Sequence, residues 1–243
     1  MNAIVNLRAF CLVALLFSGM VVADAPSDPD PWEGWNRNVH GFNETLDTYI
    51  ARPVAQGYRL VTPGIVRQGV GNFFSNLGEI PTAVNDLLQA KPGDAATATG
   101  RFLINSTLGV LGLIDVASMA GIEEHREDFG QTLAVWGVGS GPYLVLPVLG
   151  PSTLRDTFSL YPDYLLDPVQ ALPVSDEEKM GLNVLKLVHR RHQLLDSESI
   201  VQGDKYIFIR DAYLQSRHYE INDGQVEDSF DSDLDDIDLD DDF

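Results

Sequence analysis

Residues 129–154 read FGQTLAVWGVGSGPYLVLPVLGPSTL, 26 residues without one charge. Length and hydropathy suit a membrane-crossing helix. The composition forbids one: five glycines and Pro142, Pro147 and Pro151 interrupt the stretch, and proline removes an amide donor and clashes with the preceding turn. Irregular backbone survives at membrane depth only where protein buries it or where it borders a cavity. The stretch therefore either packs inside a core or walls a passage, and its residues alone favour the plain core.

Outward from it the chain reads as helix. Upstream, residues 102–114 (FLINSTLGVLGLI) are also uncharged, and the apolar run resumes after Asp115 as far as Ile122. Near the start, Trp32, Trp35, Val39, Phe42, Leu46 and Tyr49 recur at helical spacing, with Asn36, Asn43, Glu44 and Asp47 off that stripe. Asp30, Pro31 and Glu33 read as its cap, first-turn proline and capping-box acid. An aromatic stripe of this kind faces either a core or a lipid interface, with Trp and Tyr at headgroup level.

Pro53 predicts a kink or break. Thr62-Pro63 reads as a second cap-plus-proline start, followed by a helix carrying Ile65, Val66, Val70, Phe73, Phe74 and Leu77. Residues 81–89 read as a short third helix, Lys91-Pro92-Gly93 as a turn, and 95–107 as an alanine-rich helix. Ser175 opens another helix through a capping box to Glu178, with Val184, Leu187, Val188 and Leu195 on one side. Residues 206–209 read as a strand or extended piece and 211–219 as a helix. The expected fold class is all-α, one helical domain over 30–224.

The two ends differ in kind. Residues 1–23 look like a secretory signal: Arg8, an apolar run (AFCLVALLFSG), and Val21-Val22-Ala23 as the cleavage pattern. Residues 24–29 form a Pro/Asp linker. The only cysteine, Cys11, falls inside the signal, so no disulfide or thiol chemistry is expected. At the other end, 225–243 is an acidic low-complexity tail, expected to be disordered when alone. The formal charge is −20, and ten acids fall in the last 17 residues. The balance is still acidic without them, which argues against a nucleic-acid partner and against attraction to an anionic membrane surface.

Catalytic and metal chemistry find little footing. In Gly137-Val138-Gly139-Ser140-Gly141, Val138 stands where a nucleophile elbow needs glycine, and no Lys-Ser/Thr pair follows for a phosphate loop. His189 and His192 share a helix face but have no evident third ligand, so a solvated face is expected. Asp231, Asp233 and Asp235 imitate the start of a calcium loop that Asp236 then spoils. His125 between Glu124 and Glu127 suits a surface loop or an acid–base pair. No catalytic residue, metal or cofactor is assigned.

Several motifs, in order, resemble those of the VacJ (MlaA) family. Asp30 to Arg37 (DPWEGWNR) looks like its opening, Asn72 to Leu77 (NFFSNL) and Gly100 to Thr107 (GRFLINST) resemble two further elements, and Asp128 to Leu133, Trp136-Gly137-Val138, Gly141-Pro142-Tyr143 and Gly150 to Asp156 are similar to its core. Gln193 to Asp196 and Arg210 to Tyr213 fit its C-terminal part. The resemblance implies a ring-like helical assembly around an amphipathic channel, in the inner leaflet of the outer membrane, on the periplasmic face. It implies that phospholipid strayed into the outer leaflet passes through to a periplasmic lipid carrier, that trimeric porins are bound, and that no covalent chemistry occurs. It tips residues 129–154 from plain core to channel wall. Many family members are lipoproteins, yet Arg8-Ala9-Phe10 before Cys11 departs from an acceptor pattern.

On this reading Phe73, Phe74, Tyr143, Leu144 and Leu146 lie near the lipid path. Arg101 and Arg155 are candidates for headgroup phosphate, because guanidinium pairs bidentately with phosphate; structural ion pairs are the alternative. Trp32, Trp35, Phe42 and Leu46 form the membrane-interface helix, and Phe230, Leu234 and Ile237 a tail that docks the carrier. The rivals are a periplasmic lipid hydrolase and a porin-associated scaffold without transport.

Overall fold

The computed structural model describes residues 29–197 and 203–225. The signal, most of the linker, Cys11, and the tail with Phe230, Leu234 and Ile237 lie outside them. Within them the chain is mainly helical, with one small sheet.

Helix α1 (Glu33–Leu46) passes through a π-helical turn (Asp47–Ala51) into α2 (Arg52–Val61), and backbone angles stay right-handed helical across both junctions. Pro53 therefore neither breaks the helix nor ends it. It sits at the start of α2, directly after the π turn, whose wider register accommodates the missing amide and the proline ring. Asp30 does not cap α1: Trp32 is the cap residue, with no side-chain bond, and Asp30 turns inward. Thr62 ends α2, and Pro63, not Thr62, precedes the next helix.

That helix, α3 (Gly64–Leu88), runs unbroken for 25 residues with Pro81 inside it, about 37 Å at the usual rise. The expected separate helix at 81–89 is its last part. Its packing against α4 (Pro92–Thr107) is the most extensive between elements of the described residues, and that tertiary contact outweighs one lost backbone bond. The turn falls at 89–91, with Ala90 at positive φ, and Pro92 starts α4.

After α4 the chain makes a tight loop in which Val110, Leu111 and Gly112 all have positive φ. Gly112 is required there: a Cβ would lie 2.6–2.8 Å from the Asn76 side chain. A one-turn helix α5 (Val116–Met119), capped by Asp115, follows. The uncharged stretch then resolves into α6 (Phe129–Val135), capped by Asp128, and an antiparallel hairpin of β1 (Tyr143–Leu146) and β2 (Gly150–Thr153), with Tyr143 opposite Thr153 and Leu146 opposite Gly150.

Thr153 caps α7 (Leu154–Leu166), which leads through α8 (Pro168–Ala171) to α9 (Asp176–Gln193), and the Ser175–Glu178 capping box is present. The last helix, α10 (Lys205–Ile221), is capped by Asp204 and takes in 206–209, read from sequence as extended. Tyr206 pulls that segment into the helix by packing into the small apolar core of Val39, Tyr143, Val145 and Tyr206.

Candidate functional site

The described residues bury polar side chains and expose large apolar ones. Buried polar residues outnumber buried apolar ones, and several of the latter are alanines. On the outside, Trp35 is 62% exposed, Tyr49 78%, Leu60 87%, Ile65 81% and Met119 77%. A water-soluble globule distributes these types the other way, and wide apolar surface marks contact with membrane or protein. No helix among the described residues is long and apolar enough to cross a membrane. The aromatic stripe of α1 belongs to this surface: Trp32, Trp35, Phe42 and Tyr49 are exposed, while Asn36, off the stripe, is fully buried.

The polar interior has three parts. The first is the seam between α3 and its neighbours. Asn76, Glu79, Thr82, Asn85, Asp86 and Gln89 recur at helical spacing and are all buried. Arg101 of α4 reaches across with Nε 2.5 Å from Glu79 Oε1, and its other nitrogens donate to Ser118 Oγ, the Ile122 carbonyl and Asp115. Further along, Thr132 donates to Asn85, Gln89 to Glu127, and Asp86 Oδ2 lies 2.9 Å from His125 Nε2. Burial pushes the Glu79, Asp86 and Glu127 carboxyls above their ordinary values, against the pull of Arg101, His125 and Gln89.

The second part clamps the hairpin. Asn36 Nδ2 donates to Asp30 and to the Tyr143 carbonyl, and its Oδ1 accepts from the Val145 amide at 2.8 Å. Seven residues on, Asn43 donates to the Leu146 carbonyl and accepts from the Val148 amide at 2.7 Å. Two turns of α1 thus satisfy the exposed edge of β1, which a partner strand would otherwise do. Asp30 also accepts from the Tyr206 hydroxyl.

The third part joins α6, α7 and α10. Arg217 donates to Asp128, Asp156 and Glu220, and Tyr213 donates to Asp156. Burial would raise Asp156, yet Arg217 and Arg155 bring it below the usual carboxylate range. Asp163, bonded to the Phe129 amide, makes no ion pair with Arg217 as close as that of Asp156; burial first, then Asp128, pushes it up to about 6, against the pull of the Phe129 amide and the more distant Arg217. A cavity of about 210 Å³ opens here beside Asp163, Ser159 and Tyr213. A second, of about 490 Å³, is lined by Arg52, Gln56, Arg59, Leu60 and Leu195.

The residues assigned to a lipid path lie on two elements, α3 and β1. Phe73 and Phe74 stack edge-on at 5.4 Å and are half-buried on α3, which packs on α4. Leu144 and Leu146 are half-buried on β1, which packs on α1. Tyr143 is 1% exposed inside the core, its hydroxyl pushed up to about 12 by burial. It is thus a core residue, because strand alternation turns it inward with Val145. Arg101 is likewise a buried ion-pair residue, held by Glu79 and Asp115. Arg155 is buried and paired with Asp156. Both take the structural alternative.

His189 is buried against Tyr58 and not on a solvated face: Tyr58 Oη lies 3.3 Å from its Nδ1. Gly71 makes room for it, since a Cβ there would lie 2.8 Å from His189 Nε2. The His125–Asp86 contact orients an imidazole as a general base would require, but no hydroxyl among the described residues bonds to His125. No group of three metal-ligating side chains exists among the described residues. Sequence reading missed Asn36, Asn43, Glu79, Asp86 and Arg217. The polar periodicity of α3 was visible as spacing; the other contacts join residues up to 109 positions apart.

The comparisons with known proteins agree with this architecture. The family model described as MlaA lipoprotein matches residues 28–220. The intermembrane phospholipid transport system lipoprotein MlaA of Shigella flexneri is 39% identical over 233 residues, covering 91% of this chain and 90% of that protein. The protein of the same description from Escherichia coli (strain K12) is 38% identical with the same coverage. A solved chain, described by the words "Structural basis for maintenance of bacterial outer membrane lipid asymmetry", superposes with a TM-score of 0.71 at 40% identity, covering 79% of this chain and 99% of that one.

Proposed function

The chain belongs to the MlaA lipoprotein family, and from that premise we propose that it carries phospholipid out of the outer leaflet of the outer membrane to a periplasmic lipid carrier. The carrying observation is the distribution of side chains: many large apolar residues exposed, Trp35, Leu60 and Ile65 among them, with no spanning helix among the described residues, and an interior rich in buried polar and charged residues. Such a body suits immersion in one leaflet, where binding grows with buried apolar area. Acyl chains can follow apolar surface while the headgroup needs polar company.

The route runs along the half-buried side chains of the hairpin, Leu144 and Leu146, with Phe73 and Phe74 at a second contact. Tyr143 serves as the internal control, since its burial excludes it. Photocrosslinkers at Leu144, Leu146, Phe73 and Phe74 are expected to capture phospholipid, and one at Tyr143 to capture none. Absence of lipid adducts at all four positions sinks the route. The function itself is tested by expressing the chain in a strain lacking its own family member and measuring outer-leaflet phospholipid; no fall in that lipid sinks the transport reading.

Trimeric porin and the carrier are the proposed partners. The acidic tail, through Phe230, Leu234 and Ile237, docks the carrier as an amphipathic segment that folds on binding. Deleting residues 227–243 is expected to weaken carrier binding most at low salt; porin binding without lipid transfer would favour the scaffold reading. The His125–Asp86 contact is the one observation for a hydrolase, and fatty-acid release abolished by His125→Ala would establish it.

A further inference from the structure

Two acceptor pairs repeat along the buried face of α3 and its C-terminal cap residue, Gln89. In each, one carboxylate oxygen meets a basic side chain from a later element while the other has no hydrogen-bond partner. Glu79 gives Oε1 to Arg101 and leaves Oε2; Asp86 gives Oδ2 to His125 and leaves Oδ1. Three residues away on the same face stands an amide oxygen in the same condition: Asn76 Oδ1 beside Glu79, and Gln89 Oε1 beside Asp86. All four residues are more than nine-tenths buried. The Gln89 amide orientation is set by its nitrogen, which donates to the Glu127 carboxylate at 2.7 Å, while Asn76 Nδ2 donates to Ser106 Oγ at 2.9 Å.

Buried oxygens without donors carry the full desolvation penalty, so each pair requires a donor. Positions three apart on a helix hold their Cβ atoms about 5–6 Å apart. One water donating at about 2.8 Å to two acceptors spans roughly 4.5 Å between them, and side chains so spaced can bring their terminal oxygens to that separation. Charge decides against a metal ion: Glu79 already faces Arg101, Asp86 already faces an imidazole, and no third ligating side chain joins either pair among the described residues.

We propose that α3 holds two resident-water sites, one bridging Asn76 Oδ1 and Glu79 Oε2, the other bridging Asp86 Oδ1 and Gln89 Oε1. Each water has two protein acceptors and polar neighbours, the condition for a buried water that stays. The seam is then the molecule's internal solvent, kept when the exterior lies against acyl chains.

A crystal structure of the unaltered chain at a resolution that shows waters is expected to place one density peak within hydrogen-bond distance of both oxygens of each pair. In detergent solution, oxygen-17 magnetic relaxation dispersion counts long-lived waters, and Asn76→Leu and Gln89→Met are each expected to lose one, with circular dichroism unchanged. Empty density at both pairs overturns the proposal, as does a count unchanged in both variants. A protonated-carboxyl infrared band at pH 7 that vanishes in Glu79→Gln or Asp86→Asn also overturns it, because a shared proton would then close the pair. Two bridged waters in a chain that transfers no lipid uphold the sites and count against the proposed function alone.

Discussion

The α3 seam and the hairpin clamp both place polar groups inside the molecule, and they satisfy them by different means. The seam relies on charge: Arg101 sits between Glu79 and Asp115, and oxygens of Glu79 and Asp86 remain for a further donor. The clamp is neutral at its centre: both functional atoms of Asn36 and of Asn43 are engaged, mostly with backbone. A charged seam holds helices firmly but punishes the loss of either partner. An amide clamp orients a strand edge, and each of its bonds makes a smaller, separate contribution.

The largest expected break is Arg101→Met. It strands the buried Glu79 carboxylate and should lower stability by about 3–5 kcal/mol in chemical denaturation, the range for removing one partner of a buried pair. The double change Arg101→Met with Glu79→Leu sharpens the point: it should recover much of that loss, because both charges go together. If the double variant is as unstable as the single, the seam is not governed by the ion pair.

Next comes Asn36→Ala, expected at about 2–3 kcal/mol. It leaves the Val145 amide and Tyr143 carbonyl buried without their partner. Asn43→Ala, nearer the surface at the hairpin tip, should lose only about 1 kcal/mol. Equal losses at both positions would show that burial does not grade the clamp.

Asp163 supplies a pH test in the third polar region. Its folded carboxyl is raised to about 6, above the unfolded value of about 3.9. Its contribution is therefore fully present below pH about 4 and is lost as pH rises through about 6. Asp163→Asn, still able to accept from the Phe129 amide, should remove this loss, on the order of 2 kcal/mol at neutral pH. An unchanged pH–stability profile between 4 and 7 would refute it.

The smallest effect on stability is expected on the exposed face. Trp35→Ala should change denaturation by less than about 0.5 kcal/mol, as surface positions do, yet weaken binding to phospholipid vesicles in a flotation assay. Loss of stability without loss of vesicle binding would make the aromatic stripe a packing face after all.

Helices were legible wherever a periodic stripe or a cap was local, as at Ser175–Glu178 and along residues 95–107. Where the reading failed, a tertiary partner decided. Asp30 looked like a helix cap because capping acids and buried acceptors share one sequence signature, and only Asn36 and Tyr206 show which it is. Residues 206–209 looked extended because β-branched and aromatic residues favour strands, until Tyr206 found the core. Arg101 and Arg155 looked available to phosphate because a guanidinium pairs with any carboxylate or phosphate, and Glu79 and Asp156 came first.

The chain's own order of residues determined its helical class, its uncharged and unspannable middle, its acidic end and its family motifs, since those depend on neighbours within a few positions. Which face of each helix turned inward was settled by folding alone. A stripe of aromatics reads the same whether it meets core or lipid, and only the buried Asn36, the Arg101 seam and the bare Trp35 distinguish the two. Those pairings rest on distance in space, which local periodicity does not encode.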